Sequence, residues 1–579
     1  MKIQNIALAG LVALTGLASC EDNLDIVNPN QQSTSDFGNK VTDLEENVIA
    51  CYNRIRIEGT YARVGYLLDV VAGDEVNSYS DNDWWRAFDY LNASHVITND
   101  DSPLHWILRD FSYTIKSCNQ LLFYTDNSDL DHNSDTYKQA RGQGLFIRAL
   151  SYYELACYYQ NVPLITDYNA ATIFDLMSST NTQDEVLDQV EKDLKEAMEL
   201  LPSRDNGGEW ECGRATCGAA AGYYARTLMF RHKYSEALAV LKDIIDGKYG
   251  HYELNADYGD NFRSTIENTP ESLWEVQFLD YGVGGSDMEW TAANNSKSST
   301  QGQALETVFG NGDILGWNDL AATPWLYQTF KSQKTVDGNV DPRLYWTLIS
   351  YEDDYNNLDG FANMAYTVEY SRHVTTGKRM GISVAKHTTA RENLYDKIAA
   401  VGLSCGVNIR LMRYSDVLLR AAECENEISG PTAQAISWIN QVRSRAGLKE
   451  LQLSDFPTAD ALFEQIANVE RPTEFGCEHG RMQDIIRWGW LYNDGRLAQL
   501  RKHACTYWNN ITKVGVLPES PSVANDDPFV HWSPGHEYLP ITTYNLNTNP
   551  NLKGNSANSG TANTPNFNVH PVVEGIGVQ

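Results

Sequence analysis

The chain has 579 residues and carries 76 Asp and Glu against 45 Lys and Arg, a formal net charge of -31. Nucleic acids and anionic lipid headgroups attract basic surfaces, so this composition disfavours both as partners. A neutral ligand is the better expectation. The length suffices for one large domain or two packed ones.

Residues 1–20 have the layout of a secretory signal: an early lysine, an apolar stretch, and small residues before Cys20. Leu17-Ala-Ser-Cys20 resembles a bacterial lipobox, which predicts that Cys20 is lipid-modified. The alternative is an ordinary signal peptide that ends at a cysteine. Residues 21–35 are polar and predict a flexible tether, and no later apolar run is long enough to cross a bilayer. We therefore expect an exported protein held to its membrane by lipid alone.

The nine cysteines that remain of the ten are scattered and odd in number. This pattern does not suit a disulfide framework. Cys118 and Cys157 lie in apolar helical runs, where a free cysteine behaves as a small hydrophobic residue.

Amphipathic helices are predicted in succession over 102–122, 137–159, 182–201, 219–230 and 234–246. Thr182 and Glu185 have the spacing of a capping box, and Gly247 is suited to end the last helix of the series. Paired helices with small residues at their crossings are typical of tetratricopeptide-like stacking.

From about residue 250 to 408 the sequence is rich in Gly, Asn, Asp, Thr and aromatic residues and has no sustained helical period. It predicts long loops and short strands laid over the helical scaffold. A second helix pair is then predicted over 409–429 and 431–447, with Gly430 ending one helix and Pro431 starting the next. The segment after Asn545 is again rich in Asn, Gly and Pro.

Four segments together resemble the SusD/RagB family of bacterial nutrient-uptake lipoproteins. They are QGLFIRALSYYELACYYQNVPLI from Gln143, LMRYSDVLLRAAE from Leu411 with INQVRSRAGL from Ile439, VERPTEFGCEHGRMQDIIRWG from Val469, and YLPITTYNLNTNPNL from Tyr538. Asn161 stands where the family usually has glycine, and Thr542 where it commonly has proline. Pro472 replaces a helix former and predicts a kink.

The resemblance implies a mainly α, SusD-like fold: a tetratricopeptide-type helical scaffold with long loops and short strands that form the ligand face. It implies an N-terminal helical region at 36–270 packed against a C-terminal SusD/RagB region at 271–579. It further implies a surface-exposed lipoprotein of the outer membrane, without cofactor or catalytic activity. Such a protein captures oligosaccharides and delivers them to a SusC-like, TonB-dependent transporter.

The polar residues of the third segment are interpreted as structural. Arg471, Glu474, Arg481 and Asp484 lie at helical spacing and can join helices through charge-assisted hydrogen bonds. A catalytic role for them is the alternative.

A sugar ring offers an apolar face and hydroxyl edges, so a glycan site needs exposed aromatic rings beside polar side chains. Asp81, Asp83, Trp84 and Trp85 supply both within one polar loop, with Trp85 as the first choice for stacking. Neighbouring side chains in a loop seldom both point into a core. The irregular middle of the chain adds Trp290 and Trp317, for each of which core packing is the alternative. Arg372 and Tyr395, in the same region, are further candidates for a polar and a stacking partner.

The sequence contains none of four common enzyme motifs: HExxH, GxSxG, the P-loop and CxxC. His531, His536 and Glu537 could ligate a metal, but their spacing and setting favour a solvated loop. Two alternative functions stay open at this point. One is a secreted glycoside hydrolase, whose paired carboxylates are defined by separation in space. The other is a RagB-like lipoprotein that captures peptides.

Overall fold

The computed structural model describes residues 41–78, 103–168, 181–206, 213–279, 302–309, 320–350, 382–389, 391–392, 405–504, 506–507, 522–523, 532–549 and 551–576. Helices dominate these residues, and the strands are short. The mainly α class expected from the sequence is confirmed.

The N-terminal part is a series of helices, in which the first packs against the third and, from the second onward, each packs against the next. Their bounds are α1 Val41–Arg54, α2 Val64–Ala72, α3 Pro103–Asp126, α4 Asp135–Tyr159, α5 Gln183–Leu200, α6 Cys217–Phe230 and α7 Tyr234–Ile245. The Thr182 hydroxyl accepts a hydrogen bond from the amide of Glu185, whose carboxylate accepts from the amide of Thr182, so the predicted capping box is confirmed. Gly247 follows α7 at a φ of +79°, a conformation that favours glycine.

Short elements follow in the middle of the chain. Their bounds are β2 Ser272–Val276, α8 Leu305–Phe309, β3 Leu320–Ala322, α9 Pro324–Ser332, α10 Arg343–Thr347, β4 Leu348–Ser350 and β5 Ile382–Val384, with β1 at Val76–Ser78 earlier in the chain. The short strands agree with the sequence analysis. Helix α9 lies where the sequence analysis predicted loops, so that prediction is wrong here. Thr323 is its N-cap and Pro324 lies in its first turn. Both are helix-start signals, but the prediction relied on the helical period of apolar residues.

We call the N-terminal helices α1 to α7 the first block and the helices that follow residue 409 the second block. The second block begins with a strand, which is another correction. Residues 409–413 form β6 (Ile409–Arg413) and pair antiparallel with β2, and α11 (Tyr414–Ser429) starts only after them. All five residues of β6 are buried, although two of them are arginines, and a segment of five residues is too short for its apolar pattern to distinguish a strand from a helix. Helix α12 (Ala433–Arg445) starts one residue after its N-cap, Thr432. Helix α7 packs against α11 and so joins the two blocks.

The remaining described elements cover the end of the second block. They are α13 Ala459–Gln465, α14 Arg471–Phe475, α15 Arg481–Arg487, α16 Asp494–Ala504, β7 Thr506–Tyr507, β8 Ser522–Val523, α17 Thr543–Thr548 and α18 Ser556–Ser559. A π-helical turn, Ile466–Glu470, joins α13 to α14, of which Pro472 is the second residue. Proline has no amide hydrogen to donate, and its ring crowds the preceding turn of a helix. The extra residue of the π-helical turn leaves room for the ring, which explains why Pro472 is tolerated.

The chain after α16 runs back over both blocks. The amide of Leu539 donates to the carbonyl of Tyr158 (2.6 Å), and the side chain of Asn555 donates to the carbonyl of Tyr159 (2.7 Å). Further on, the Arg496 guanidinium donates to the carbonyl of His570 (2.8 Å). The seven described cysteines are all buried, as expected of residues that pack as small hydrophobic side chains.

Candidate functional site

All eight predicted ligand residues lie outside the described residues, as does Cys20: Asp81, Asp83, Trp84, Trp85, Trp290, Trp317, Arg372 and Tyr395. They belong to segments 79–102, 280–301, 310–319, 351–381 and 393–404, which we call the candidate ligand segments. The structure does describe the stems, the residues at which these segments join the folded body. The stems decide which segments start close together.

The first stem is the ladder formed by β1 and β3. Ser78, the residue before segment 79–102, pairs with Leu320, the residue after segment 310–319. Antiparallel partners in such a ladder lie about 5 Å apart. The segment that carries Trp85 and the segment that carries Trp317 therefore leave the body side by side.

The second stem is the ladder formed by β4 and β5. Ser350 pairs with Ile382, and these residues flank segment 351–381, which carries Arg372. Strand β5 also packs against β3, so this ladder adjoins the first stem.

The third stem is a bridge between Gln303 and Cys405, whose backbones exchange hydrogen bonds of 2.7 and 2.8 Å. Gln303 follows segment 280–301 with Trp290, and Cys405 follows segment 393–404 with Tyr395. The Gln303 side chain donates to the carbonyl of His387 (3.1 Å), close after β5. The second and third stems are thus joined.

Glu306 strengthens this junction. Its carboxylate accepts hydrogen bonds from the amide and the hydroxyl of Thr389, at 3.0 and 2.7 Å. Burial raises the pKa of Glu306 to about 7, although the Thr389 bonds oppose that rise. The sequence gives no signal for this role, because its partner lies 83 positions away.

A cluster of buried ion pairs around Glu474 is bonded to the second stem. The Glu474 carboxylate accepts from Arg343 (3.0 Å), Arg413 (2.8 Å) and Arg445 (2.6 Å). Burial alone would raise the pKa of Glu474, but the three guanidinium groups hold it well below its ordinary value. Lys386, two residues after β5, donates to the carbonyl oxygen of Glu474 (3.1 Å) and so ties the second stem to this cluster.

A second cluster surrounds Asp484, which accepts from Arg471 (2.8 Å) and Arg487 (2.8 Å). Arg471 also donates to Asp416 (2.8 Å), which accepts in turn from Arg420 (2.7 Å). These carboxylates are fully engaged by guanidinium groups in the core. We call the clusters around Glu474 and Asp484 the charge lattice.

The lattice reaches the first stem through Arg481. Its guanidinium donates to both carboxylate oxygens of Asp74 (2.7 and 2.9 Å), and His503 donates to the same carboxylate (2.8 Å). The carbonyls of Asp74 and Glu75 accept from the hydroxyl and amide of Thr323, the residue after β3. The prediction that Arg471, Glu474, Arg481 and Asp484 join elements through charge-assisted bonds is confirmed.

The described residues contain no group of three or more His, Cys, Asp or Glu side chains placed to hold a metal ion. Of His531, His536 and Glu537, for which the sequence favoured a solvated loop over a metal site, His531 lies outside the described residues. Glu537 is buried and accepts from the Tyr492 hydroxyl (2.8 Å), so the solvated loop is wrong for this residue. In the same portion of the chain, no helix has the length and apolar character needed to cross a membrane.

Two family models match the chain. One, described as starch-binding associating with outer membrane, matches residues 22–229, and the other, the SusD family, matches residues 270–558. The chain belongs to the SusD/RagB family. SusD-like protein P25 of Formosa agariphila is 24% identical over 581 residues, which cover 97% of this chain and 100% of that protein.

Solved structures share the fold. Surface glycan-binding protein A from Bacteroides thetaiotaomicron, in complex with laminarihexaose, matches with a TM-score of 0.66 at 23% identity, covering 89% of this chain and 99% of that one. A SusD-like carbohydrate-binding protein from Bacteroides fragilis matches with a TM-score of 0.68 at 19% identity, covering 89% and 100%. The SusD-like fold predicted from the sequence is therefore confirmed. The tetratricopeptide subdivision and the boundary at 270/271 stay predictions.

Proposed function

We propose that this protein is a non-catalytic lipoprotein of the outer membrane that captures oligosaccharides at the cell surface and delivers them to a SusC-like, TonB-dependent transporter. One observation carries the proposal. The stems of all five candidate ligand segments adjoin one another on a supported, buried base, although their predicted ligand residues are dispersed between positions 81 and 395.

Chain length limits how far the two main aromatic candidates can be from this base. Trp317 precedes Leu320 by three residues, and Trp85 follows Ser78 by seven. An extended chain reaches about 3.5 Å per residue, so the two positions lie within about 11 and 25 Å of one ladder. One oligosaccharide can therefore contact both segments.

The chemistry of the ligand follows from charge and from the relatives. An acidic protein with a net charge of -31 gains nothing from an anionic ligand, whereas a neutral glycan needs only stacking surfaces and hydrogen-bonding groups. A structural relative binds laminarihexaose. Laminarin, a neutral β-glucan, is therefore the first ligand that we would test.

Trp85→Ala in the otherwise unchanged protein tests the binding claim. We expect at least about a tenfold loss of laminarin affinity by calorimetry, because a sugar ring loses its stacking partner. Tyr544→Ala, which removes an exposed aromatic ring, is the matched control and should bind as the unmodified protein does.

Three outcomes would contradict the proposal. A fall in melting temperature for Trp85→Ala would assign this residue to the core. Release of shorter sugars from a glycan panel would favour the hydrolase. Binding of peptides with no glycan bound would favour the peptide-capturing alternative.

Delivery requires attachment and a partner. We infer that lipid on Cys20 and the tether at 21–35 allow the protein to open and close over a transporter barrel like a lid. Cys20→Ala should release the protein from the membrane fraction. Mild-detergent extraction should recover the unmodified protein with its transporter, through an interface of at least about 1,000 Å². Recovery as a free monomer, with glycan uptake unaffected by gene deletion, would rule out the lid.

A further inference from the structure

Tyr345 is an exposed aromatic residue. It is 42% exposed, although the guanidinium carbon of Arg391 lies only 3.9 Å from the ring centroid and covers one face. The exposed area therefore lies on the rest of the residue, outside the face that Arg391 covers. Such a ring can stack on the apolar face of a sugar.

The ring is held in place before any ligand arrives. Arg391 donates to the carbonyl of Tyr345 itself (2.7 Å) and to that of Leu348 (2.8 Å). These two hydrogen bonds hold the guanidinium in its position over the ring. Trp346 meets the Tyr345 ring edge to face, with centroids 5.6 Å apart at 86°. A stacking surface that is already ordered saves the entropy of fixing it on binding.

Trp346 is itself fixed and brings polar groups to the same patch. The Arg263 guanidinium lies 4.5 Å above its ring, and Gly259 is so close that a β-carbon there would come within 2.2 Å of the indole. Arg263 pairs with Asp257 (2.9 Å), whose side chain is half exposed. These charged groups can accept and donate hydrogen bonds at the hydroxyl edge of a sugar.

The patch lies next to the second stem. Tyr345 is in α10, which runs directly into β4, and β4 ends at Ser350, where segment 351–381 begins. The three residues of β4 span about 10 Å. A glycan of several rings bound at the candidate ligand segments is long enough to cover that distance. The other strongly exposed aromatic rings among the described residues, Tyr113, Phe123 and Tyr544, are not part of any stem.

We propose that Tyr345 is an additional stacking subsite for a sugar ring of a long neutral β-glucan, outside the site that contains Trp85. The inference rests on the proposed glycan-binding function and adds chain-length selectivity to it. Short oligosaccharides occupy the Trp85 site alone, whereas the polysaccharide also covers Tyr345.

The test compares laminarin with laminaritriose on the intact mature protein by calorimetry. Tyr345→Ala should lower laminarin affinity about three- to tenfold, which is the scale of one lost aromatic contact, and should leave laminaritriose affinity within about twofold. Tyr345→Phe keeps the ring and should restore laminarin binding. Because the side chain is exposed, thermal unfolding should be unchanged in both variants.

The outcomes separate this subsite from the main site. Equal losses on both ligands, no loss on laminarin, or failure of Tyr345→Phe to restore binding would overturn the subsite. Failure of the unmodified protein to bind laminarin would overturn its assignment to β-glucan. If Trp85→Ala binds both ligands normally while Tyr345→Ala still loses laminarin, the proposed main site is wrong and the Tyr345 subsite stands.

Discussion

The two helical blocks of this protein share one apolar core but differ in the buried charges that they add to it. In the first block, α4 to α7 pack mainly through apolar and small residues, with Arg148 and Asp193 as a buried ion pair at 2.8 Å. The second block contributes to the same core and also contains the charge lattice of guanidinium groups and carboxylates. The stems of the candidate ligand segments are attached to the lattice.

The difference shows what each arrangement does well. Apolar packing stabilises through buried area and tolerates small adjustments of volume. Buried charges cost desolvation free energy and are stable only when every hydrogen bond is made, which fixes the positions of the elements that they join. We infer that the lattice serves to position the stems, whereas the first block supplies bulk stability.

Glu474→Ala should produce the largest effect, because it leaves three buried guanidinium groups without their shared acceptor. We expect a loss of about 3–5 kcal/mol in the free energy of unfolding, measured by urea denaturation. Glu236→Ala, at an exposed position of α7, is the control and should change stability by less than about 0.5 kcal/mol. Similar values for both variants would show that the lattice does not hold the second block.

The lattice should also make the protein sensitive to acid. Burial would raise the pKa of Asp416, but Arg420 and Arg471 lower it to about 2. An unfolded aspartate titrates near 3.9, so this stabilisation is present above about pH 4 and is lost as pH falls towards 2. The difference of about two pKa units corresponds to about 2–3 kcal/mol.

Urea denaturation between pH 5 and pH 2.5 would measure that loss, and Asp416→Asn should make the pH dependence shallower. An unchanged slope in this variant would mean that Asp416 is not held as an ion by its arginines.

Gly222→Ala tests the close packing of α6 against the β2–β6 pair. A β-carbon at Gly222 would lie 2.6 Å from the sulfur of Met412 and 2.9 Å from a methyl carbon of Leu273. We expect a loss of about 1–3 kcal/mol by thermal unfolding, even though alanine favours helix. Met412→Ala in the same background should recover part of the loss. A stabilised single variant would contradict the tight contact between α6 and the β2–β6 pair.

The smallest effect is expected at a helix end. Thr182→Ala removes the capping hydroxyl of α5 and should cost about 1 kcal/mol. Thr182→Ser keeps the hydroxyl and serves as the control. If both variants are equally destabilised, the cap bond is not responsible.

Local signals explain how much of the fold could be predicted. Capping residues, helical periods and Gly247 located α3 to α7 to within a few residues, because these features act over neighbouring positions. Helices α1 and α2 were not predicted. Strand β6 was missed because its identity depends on pairing with β2, which lies far earlier in the sequence: Ser272 pairs with Arg413 and Val276 with Ile409. Long-range pairing of this kind leaves no periodic trace.

For the site, the sequence supplied the chemistry of candidate residues but not their arrangement. Gln303, Glu306 and Lys386 act through distant partners and carried no motif. Tyr345 could have been found, because the rule applied to Trp84 and Trp85, that adjacent aromatic side chains seldom both point inward, also holds for Tyr345 and Trp346. The structure exposes the first ring of that pair and fixes the second.

The central claim is that the five candidate ligand segments form one glycan site on stems held by the charge lattice. Hydrogen–deuterium exchange with and without saturating laminarin tests it most directly. The account predicts slower exchange in several of the segments together and at their stems, 76–78, 303–306, 320–322 and 382–389, with no change across α6 and α7. Protection confined to one segment, or located on the helices of the first block, would contradict it.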